Sequence, residues 1–354
     1  MAKAVKDILY VDYIHQVGHV NFDHIHIDAL KSTHRNVRLV LHKELADQLP
    51  YSKNEYAAIL PSWLYQRDNR PFFNRLLFIL TLLFIRWKIR PQKYRSVIVS
   101  SCEEITLGLF PLCRNMHIIC HGNAQSFGFS KLKTFFLQRL ARHNRFIVFN
   151  SEMAQPFLEN GIKNVDIISH GCIPPFQVSN ATNALPYLSA YRHVVFHPSA
   201  SPDREFMQQL LKDADLQDFL KRENILLILR NHPEGKTEIG NIRFINHYLT
   251  QSQYQQLFLQ ADTILLAYPP QFRFQVSGVS FECVSNHKKV LIFHNPSLNY
   301  CRQFYNYDPI FDNIGQMCQL LKQLSEDSSL LSARQLSLGM SRLSLSPNFS
   351  SQRV

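Results

Sequence analysis

No two of the seven cysteines stand at C-x-x-C spacing, and their number is odd. Neither a disulfide framework nor a finger-type zinc site is therefore expected, and a reducing cytoplasm is the expected setting. No stretch reaches the roughly 18 apolar residues of a membrane-spanning helix. The opening M-A-K-A-V-K-D-I-L-Y-V-D-Y-I has no apolar segment long enough for a secretory leader and runs straight into a strand pattern. The first βα loop lacks the G-x-G-x-x-G fingerprint, which argues against nicotinamide and flavin enzymes. The chain also lacks a single long basic tract. Its 38 Lys and Arg against 27 Asp and Glu are spread along its length. A net charge of +11 so distributed points away from nucleic acid and towards a phosphorylated substrate or an acidic membrane surface.

What is present is a repeated alternation. The 354 residues exceed what one core usually holds, and a hydrophobic fraction of 45% is that of a globular chain. Short continuous apolar runs at 8–11, 37–41, 96–100, 117–120, 146–149 and 165–168 read as strands buried on both faces. Helical patterns at 21–32, 131–144 and 151–160, the last capped by Ser151, lie between them. After Pro174-Pro175 and the polar stretch 179–183 the alternation restarts. Strands are expected at 193–197, 225–229, 242–245, 264–267 and 290–293, with helices at 204–214, 252–260, 278–286 and 314–324. The pattern predicts an α/β chain of two doubly wound domains, 1–178 and 179–325, followed by a Ser-rich tail, 326–354, partly helical or frayed.

The most informative stretch is 261–294. A buried strand, a Pro-Pro loop, a short helix and a second buried strand make a βαβ unit, with Ser277 at the N-cap and Gly278 where backbone can approach a ligand. A helix N-terminus so placed suits an anion, and a nucleotide diphosphate is the expected one. The amides of Ser277, Gly278 and Val279 would hold it, and Glu282 would accept hydrogen bonds from a ribose. Arg204 and Arg230 follow strand ends on the same edge and suit the diphosphate. His121 ends the strand 117–120, at the edge where α/β sheets bind ligands. His15, His19, His24 and His26 crowd one loop, but their spacing matches no familiar zinc arrangement, so no metal is expected. The segment 71–90 has an apolar core of about ten residues between basic flanks, too short to span a bilayer. It reads either as a buried crossover helix or as an interfacial helix resting on an anionic membrane.

Several stretches together resemble the GT-B glycosyltransferases, specifically the retaining family 4 type. They are F-N-S-E-M-A-Q-P-F-L-E-N-G-I-K-N-V-D-I-I-S-H-G-C (149–172), F-H-P-S-A-S-P-D-R-E-F (196–206), Y-Q-Q-L-F-L-Q-A-D-T-I-L-L-A-Y (254–268) and S-G-V-S-F-E-C-V-S-N-H-K-K-V-L-I (277–292). The resemblance implies two Rossmann-like domains facing a central cleft. It implies transfer of a sugar, with retention, from a nucleotide-diphosphate sugar to a glycan or lipid-linked glycan, of the hexosyltransferase type and in surface polysaccharide synthesis. No cofactor is implied beyond the donor substrate. His121 and Glu282 would be catalytic, with Gly18, His19 and Asn123 on the acceptor side. The family commonly carries two glutamates eight positions apart; Glu282 matches the second, and Phe274 stands at the first. Ser199 falls where the family has an arginine and Arg204 where it has a lysine. Two alternatives accompany this reading. One is a degenerate, non-catalytic GT-B binding protein. The other is a polyol-phosphate transferase using a cytidine nucleotide, on the strength of L-R-N-H-P (229–233). A cytoplasmic location, with peripheral contact at the inner face of an anionic membrane, completes the expectation.

Overall fold

The computed structural model describes residues 8–15, 19–34, 36–64, 71–168, 170–172, 174–177, 186–199, 202–230, 235–247 and 249–326. Gly18, the expected boundary at 178, residues 231–233 and the tail from 327 lie outside the described residues. The chain divides into two compact units, the first closing at Gly171 and the second opening at Cys172.

The first unit holds β1 (Ile8–Val11), β2 (Val37–His42), β3 (Tyr56–Leu60), β4 (Ser96–Val99), β5 (Met116–Ile119), β6 (Arg145–Val148) and β7 (Val165–Ile167). They form one parallel sheet in the order β3-β2-β1-β4-β5-β6-β7. Winding starts at β1, runs outward to β3, then returns to β4 and continues the other way. The loops after β1 and β4 therefore diverge, and the crevice between such loops is where open α/β sheets take ligands.

The second unit repeats the plan with β8 (His193–Phe196), β9 (Ile225–Arg230), β10 (Glu238–Ile239), β11 (Ile242–Ile245), β12 (Thr263–Leu266), β13 (Lys289–Phe293) and β14 (Ile310–Phe311). The order is β10-β11-β9-β8-β12-β13-β14, parallel except for the β10–β11 pair, and the reversal falls between β8 and β12. Successive side chains of a strand point to opposite faces, and both faces are covered here. Val194, Phe196, Leu226, Ile228, Ile264 and Leu266 enter one core, while Val195, Leu227, Leu229, Leu265 and Leu291 enter the other. That is why these strands read as unbroken apolar runs.

Helix ends differ from expectation: the helix expected over 131–144 stops at Ala141, and two others differ at their caps. Asn150, not Ser151, caps the helix Ser151–Glu159, its side-chain oxygen accepting from the Met153 amide at 2.8 Å. The helix expected over 204–214 stops at Lys212, because Asp213 turns the chain and caps a second helix, Ala214–Arg222, at the Leu216 amide. Ser277 caps its helix, Gly278–Ser285, as expected, accepting from the Ser280 amide at 3.2 Å.

The crossover helix Pro71–Phe84 carries both characters that its sequence suggests. Leu77, Thr81, Leu82 and Ile85 are buried, whereas Phe72, Phe73, Leu76, Leu80, Leu83 and Trp87 are exposed, Phe72 to 85% and Trp87 to 79%. Among the described residues no helix is long and apolar enough to cross a membrane.

Gly108 shows how tightly the first unit is packed. It lies in the helix Glu104–Leu109, and a Cβ there would stand 2.6 Å from Cδ1 and 2.8 Å from Cβ of Phe136. The Phe136 Cβ is fixed to the helix Lys131–Ala141 and cannot swing aside, so one helix must shift. Gly108→Ala is expected to destabilise the protein by about 1–3 kcal/mol, read as a lower urea midpoint at unchanged slope. An unchanged midpoint would show that the two helices part freely.

Candidate functional site

In the second unit the candidate residues gather on the carboxyl edge of β9, β8 and β12. The Asp203 amide donates to the Ala267 carbonyl at 3.0 Å, which ties the loop after β8 to the end of β12. Arg230 ends β9 and reaches back to the Pro198 carbonyl with Nη1 at 3.4 Å. Arg204, exposed, is the first residue of the helix Arg204–Lys212; Asp203 caps that helix through the Phe206 amide at 2.8 Å and offsets the cost of a cation at its positive end. His197 follows β8 directly, and burial pushes its pKa down to about 4, leaving a neutral imidazole there.

The third contributor is the helix Gly278–Ser285. Its cap is itself held, because the buried Ser277 hydroxyl pairs with the Tyr268 hydroxyl at 2.8 Å. Ser280 Oγ is bound by the Ser277 carbonyl and the Tyr300 hydroxyl, each at 2.7 Å. The cap bond goes to Ser280, so the amides of Gly278 and Val279 are the ones directed out of the helix end. A Cβ at Gly278 would meet nothing within 4 Å, so the backbone there faces open space. Glu282 is half-buried, and its Oε2 accepts a 2.5 Å hydrogen bond from the Tyr254 hydroxyl. Burial first, then the Glu282 charge, hold the Tyr254 pKa well above its ordinary value, so Tyr254 stays a donor. Tyr254 is a residue that sequence reasoning missed. Its signal is its place on the helix Gln251–Gln260, directly before the central stretch.

The first unit concentrates its chemistry at its own reversal, where β1 and β4 end. Asp12, fully buried, follows β1. Its Oδ1 accepts from the amides of Ile14 and His15, each at 3.0 Å, and its Oδ2 from the Ser100 hydroxyl at 2.9 Å. Ser100 Oγ also lies 3.0 Å from Asp23 Oδ1, which accepts from the Tyr10 hydroxyl at 2.7 Å. The two buried carboxylates are pushed apart in pKa. Burial and then the charge of Asp12 raise Asp23 well above the usual range. Burial opposes ionisation of Asp12 too, but His15 and His19 outweigh it and hold that carboxyl well below the usual range.

His121 stands beside this group, its ring 4.7 Å from that of His19 and 4.2 Å from that of Phe22. Its Nε2 lies 3.0 Å from the Ser100 carbonyl. Burial, then the neighbouring rings of His19, His15, His26 and His170, push its pKa well below the ordinary value. A neutral imidazole donating from Nε2 keeps a lone pair on Nδ1, which can accept a proton or a hydrogen bond. His121 and His19 are thus brought together. The Asn123 side-chain amide nitrogen is occupied, donating to the Cys102 carbonyl at 3.1 Å and to Glu104 Oε1 at 2.8 Å. Asp12, Asp23 and Ser100 went unrecognised in the sequence. Asp12 and Ser100 nonetheless follow strands, the same positional signal that singled out His121.

No protein-family model matches this sequence, and no curated protein matches it. Solved structures do match. A UDP-forming α,α-trehalose-phosphate synthase from Burkholderia xenovorans superposes with a TM-score of 0.63 at 9% identity, over 96% of this chain and 95% of its own. The E. coli trehalose-6-phosphate protein bound with UDP-2-fluoro glucose gives 0.61 at 11%, over 96% and 93%. A candidate UDP-N-acetylglucosamine 2-epimerase from Listeria monocytogenes gives 0.58 at 10%, over 97% and 92%. At such identities the likeness is one of fold. The sheets and these superpositions define an α/β protein of two Rossmann-like units. More particularly, the fold is GT-B, in divergent form.

Proposed function

We propose that this protein is a glycosyltransferase that moves a sugar, with retention, from a nucleotide-diphosphate sugar to a glycan or lipid-linked glycan acceptor. The observation that carries the proposal is the carboxyl edge of β9, β8 and β12. There two arginines from adjacent loops accompany a capped helix whose first amides face open space. As the glycosidic bond breaks, the leaving diphosphate gathers negative charge. Arg204, Arg230 and the amides of Ser277, Gly278 and Val279 stabilise that charge, and Glu282, oriented by Tyr254, holds the ribose. His121 contacts the donor sugar or the acceptor hydroxyl through Nδ1. His19 lies on the acceptor side of this reading, while the committed amide of Asn123 supports that loop from within. Of the three matching structures, one is of a UDP-forming synthase, one holds UDP-2-fluoro glucose and one is named for UDP-N-acetylglucosamine, which agrees with a nucleotide-linked donor.

A thermal-shift screen across UDP-, GDP- and CMP-sugars tests this. A bound donor raises the melting temperature, and at a hundred times its dissociation constant contributes about 2.7 kcal/mol. One observation favours a second reading: Phe274 occupies the place of the sugar-facing glutamate, half-buried under the Arg273 guanidinium at 4.5 Å. A non-catalytic binding protein would follow from that loss, and the absence of any shift at millimolar nucleotide sugar would sink the transferase reading in its favour. Placement at an anionic membrane, in surface polysaccharide synthesis, belongs to the same proposal. Its support is the exposed apolar stripe of the helix Pro71–Phe84, which runs into Arg86, Lys88 and Arg90. Beside it lies a cavity of about 500 Å³ lined by Arg86, Arg95 and Arg114.

A further inference from the structure

The reversal between β1 and β4 holds a carboxylate and two imidazoles whose ligand atoms lie close together. We propose that Asp12, His15 and His19 form a binding site for a zinc-class divalent cation in the first unit. Asp12 Oδ2 lies 3.3 Å from His15 Nδ1 and 3.5 Å from His19 Nδ1. A tetrahedral ion with bonds of about 2.0–2.1 Å sets its ligand atoms about 3.3–3.4 Å apart. All three ligand atoms lie within 4.8 Å of one another.

One further observation points to an ion rather than to a plain ion pair. His19 Nδ1 is buried and has no hydrogen-bond partner, although it stands beside a carboxylate. The His15 and His19 rings stack with centroids 3.4 Å apart and planes 13° from parallel. An imidazole binds an ion in its own plane, so one of the two rings turns about its side-chain torsions when both Nδ1 lone pairs meet a single ion. The carboxylate is already placed as a ligand should be, its Oδ1 fixed by two amides and its Oδ2 by Ser100.

Two imidazole nitrogens and one carboxylate oxygen suit zinc, cobalt or a related transition ion, and not magnesium or calcium, which take oxygen sets. Three protein ligands leave a fourth position for water or a substrate oxygen. The ion would tie the end of β1 to His19, the N-cap of the helix Val20–Thr33. The histidine spacing alone gave no reason to expect a metal. The carboxylate that completes the set belongs to the end of an apolar strand, where the histidine-rich loop does not advertise it.

The experiment uses the untagged full chain, stripped with a chelator and titrated with Co²⁺ and Zn²⁺. A single equivalent of Co²⁺ should bind with the intense visible absorption of a four-coordinate site, Zn²⁺ should displace it, and Zn²⁺ should raise the melting temperature. His15→Ala and His19→Ala should each weaken binding by tenfold or more, and the pair together should abolish it. His24→Ala should leave it unchanged, since His24 pairs with Asp28 at 3.0 Å away from Asp12. His15 is 31% exposed, so its truncation opens no core cavity and circular dichroism should be unaltered. Absence of binding at micromolar metal by the wild-type chain overturns the proposal. So does binding that survives loss of both histidines.

Discussion

Arg204→Ala is expected to lower the transfer rate constant by about a hundredfold or more, the loss of about 3 kcal/mol of transition-state stabilisation. Glu282→Ala is expected instead to raise KM, by about tenfold, with a smaller effect on the rate constant. The difference follows from where charge changes. The diphosphate becomes more negative as the glycosidic bond breaks, so a cation beside it gains in the transition state what it did not have in the ground state. The ribose is the same in both, and a carboxylate that binds it acts on both equally. Tyr254→Phe should follow Glu282→Ala in kind but not in size, because it removes only the 2.5 Å bond that orients the carboxylate. The donor for the assay is the nucleotide sugar that gives the largest thermal shift. Equal activity in wild type and both alanine variants, with the fold intact by circular dichroism, removes the site assignment. A reversed split, with KM sensitive to Arg204 and the rate constant to Glu282, exchanges their roles.

The strands that carry this site were legible because both faces of each sheet are covered. β8, β9, β12 and β13 each place alternate residues in two cores, so no polar position interrupts them. β3 was not legible for the opposite reason. Its residues Ala57, Ala58 and Ile59 are only partly buried or exposed at the sheet edge, and Y-A-A-I-L has little apolar bulk. β14 is two residues long and gains its identity from pairing with β13, not from its own sequence. The helix Ala214–Arg222 was hidden because Asp213 ends one helix and caps the next, and the buried positions jump from Leu210 to Leu216 across the break.

The helix Gly278–Ser285 could be read from local signals, a capping serine, a glycine and an apolar face within one stretch. Tyr254 could not, since it meets Glu282 only once the preceding helix packs against the sheet. The histidine-rich loop shows the same limit from the other side. Asp12, Asp23 and Ser100 lie up to 88 positions apart, and what unites them is the reversal of strand order that brings β1 and β4 side by side. Both units thus concentrate polar side chains where the winding reverses. In the second unit these are arginines and a helix end, suited to an anion. In the first they are carboxylates and imidazoles, suited to a proton or a cation.

Replacing Phe72 and Trp87 together by serine is expected to reduce binding to anionic vesicles at least a hundredfold, from the loss of about 3–6 kcal/mol of apolar transfer. Both rings are mostly exposed, at 85% and 79%, so the fold should not register the change. They lie on one face with Leu76, Leu80 and Leu83, at steps of four, four, three and four residues, which is the spacing of a single helical stripe. Arg86, Lys88 and Arg90 follow at its end, and each cation near an anionic surface adds about 1 kcal/mol. The charge contribution is screened by salt while the apolar contribution is not, with a Debye length of about 10 Å at 0.1 M. Wild-type co-sedimentation with phosphatidylserine vesicles should therefore weaken as salt rises without vanishing. The serine variant should bind only at low salt, through charge alone. Arg86→Ser with Arg90→Ser should show the converse, weaker binding with a flatter salt dependence. Failure of the wild-type protein to sediment with anionic vesicles at low salt would end the membrane reading and leave the stripe in need of a protein partner. Equal binding by wild type and the serine variant would move the contact elsewhere on the chain.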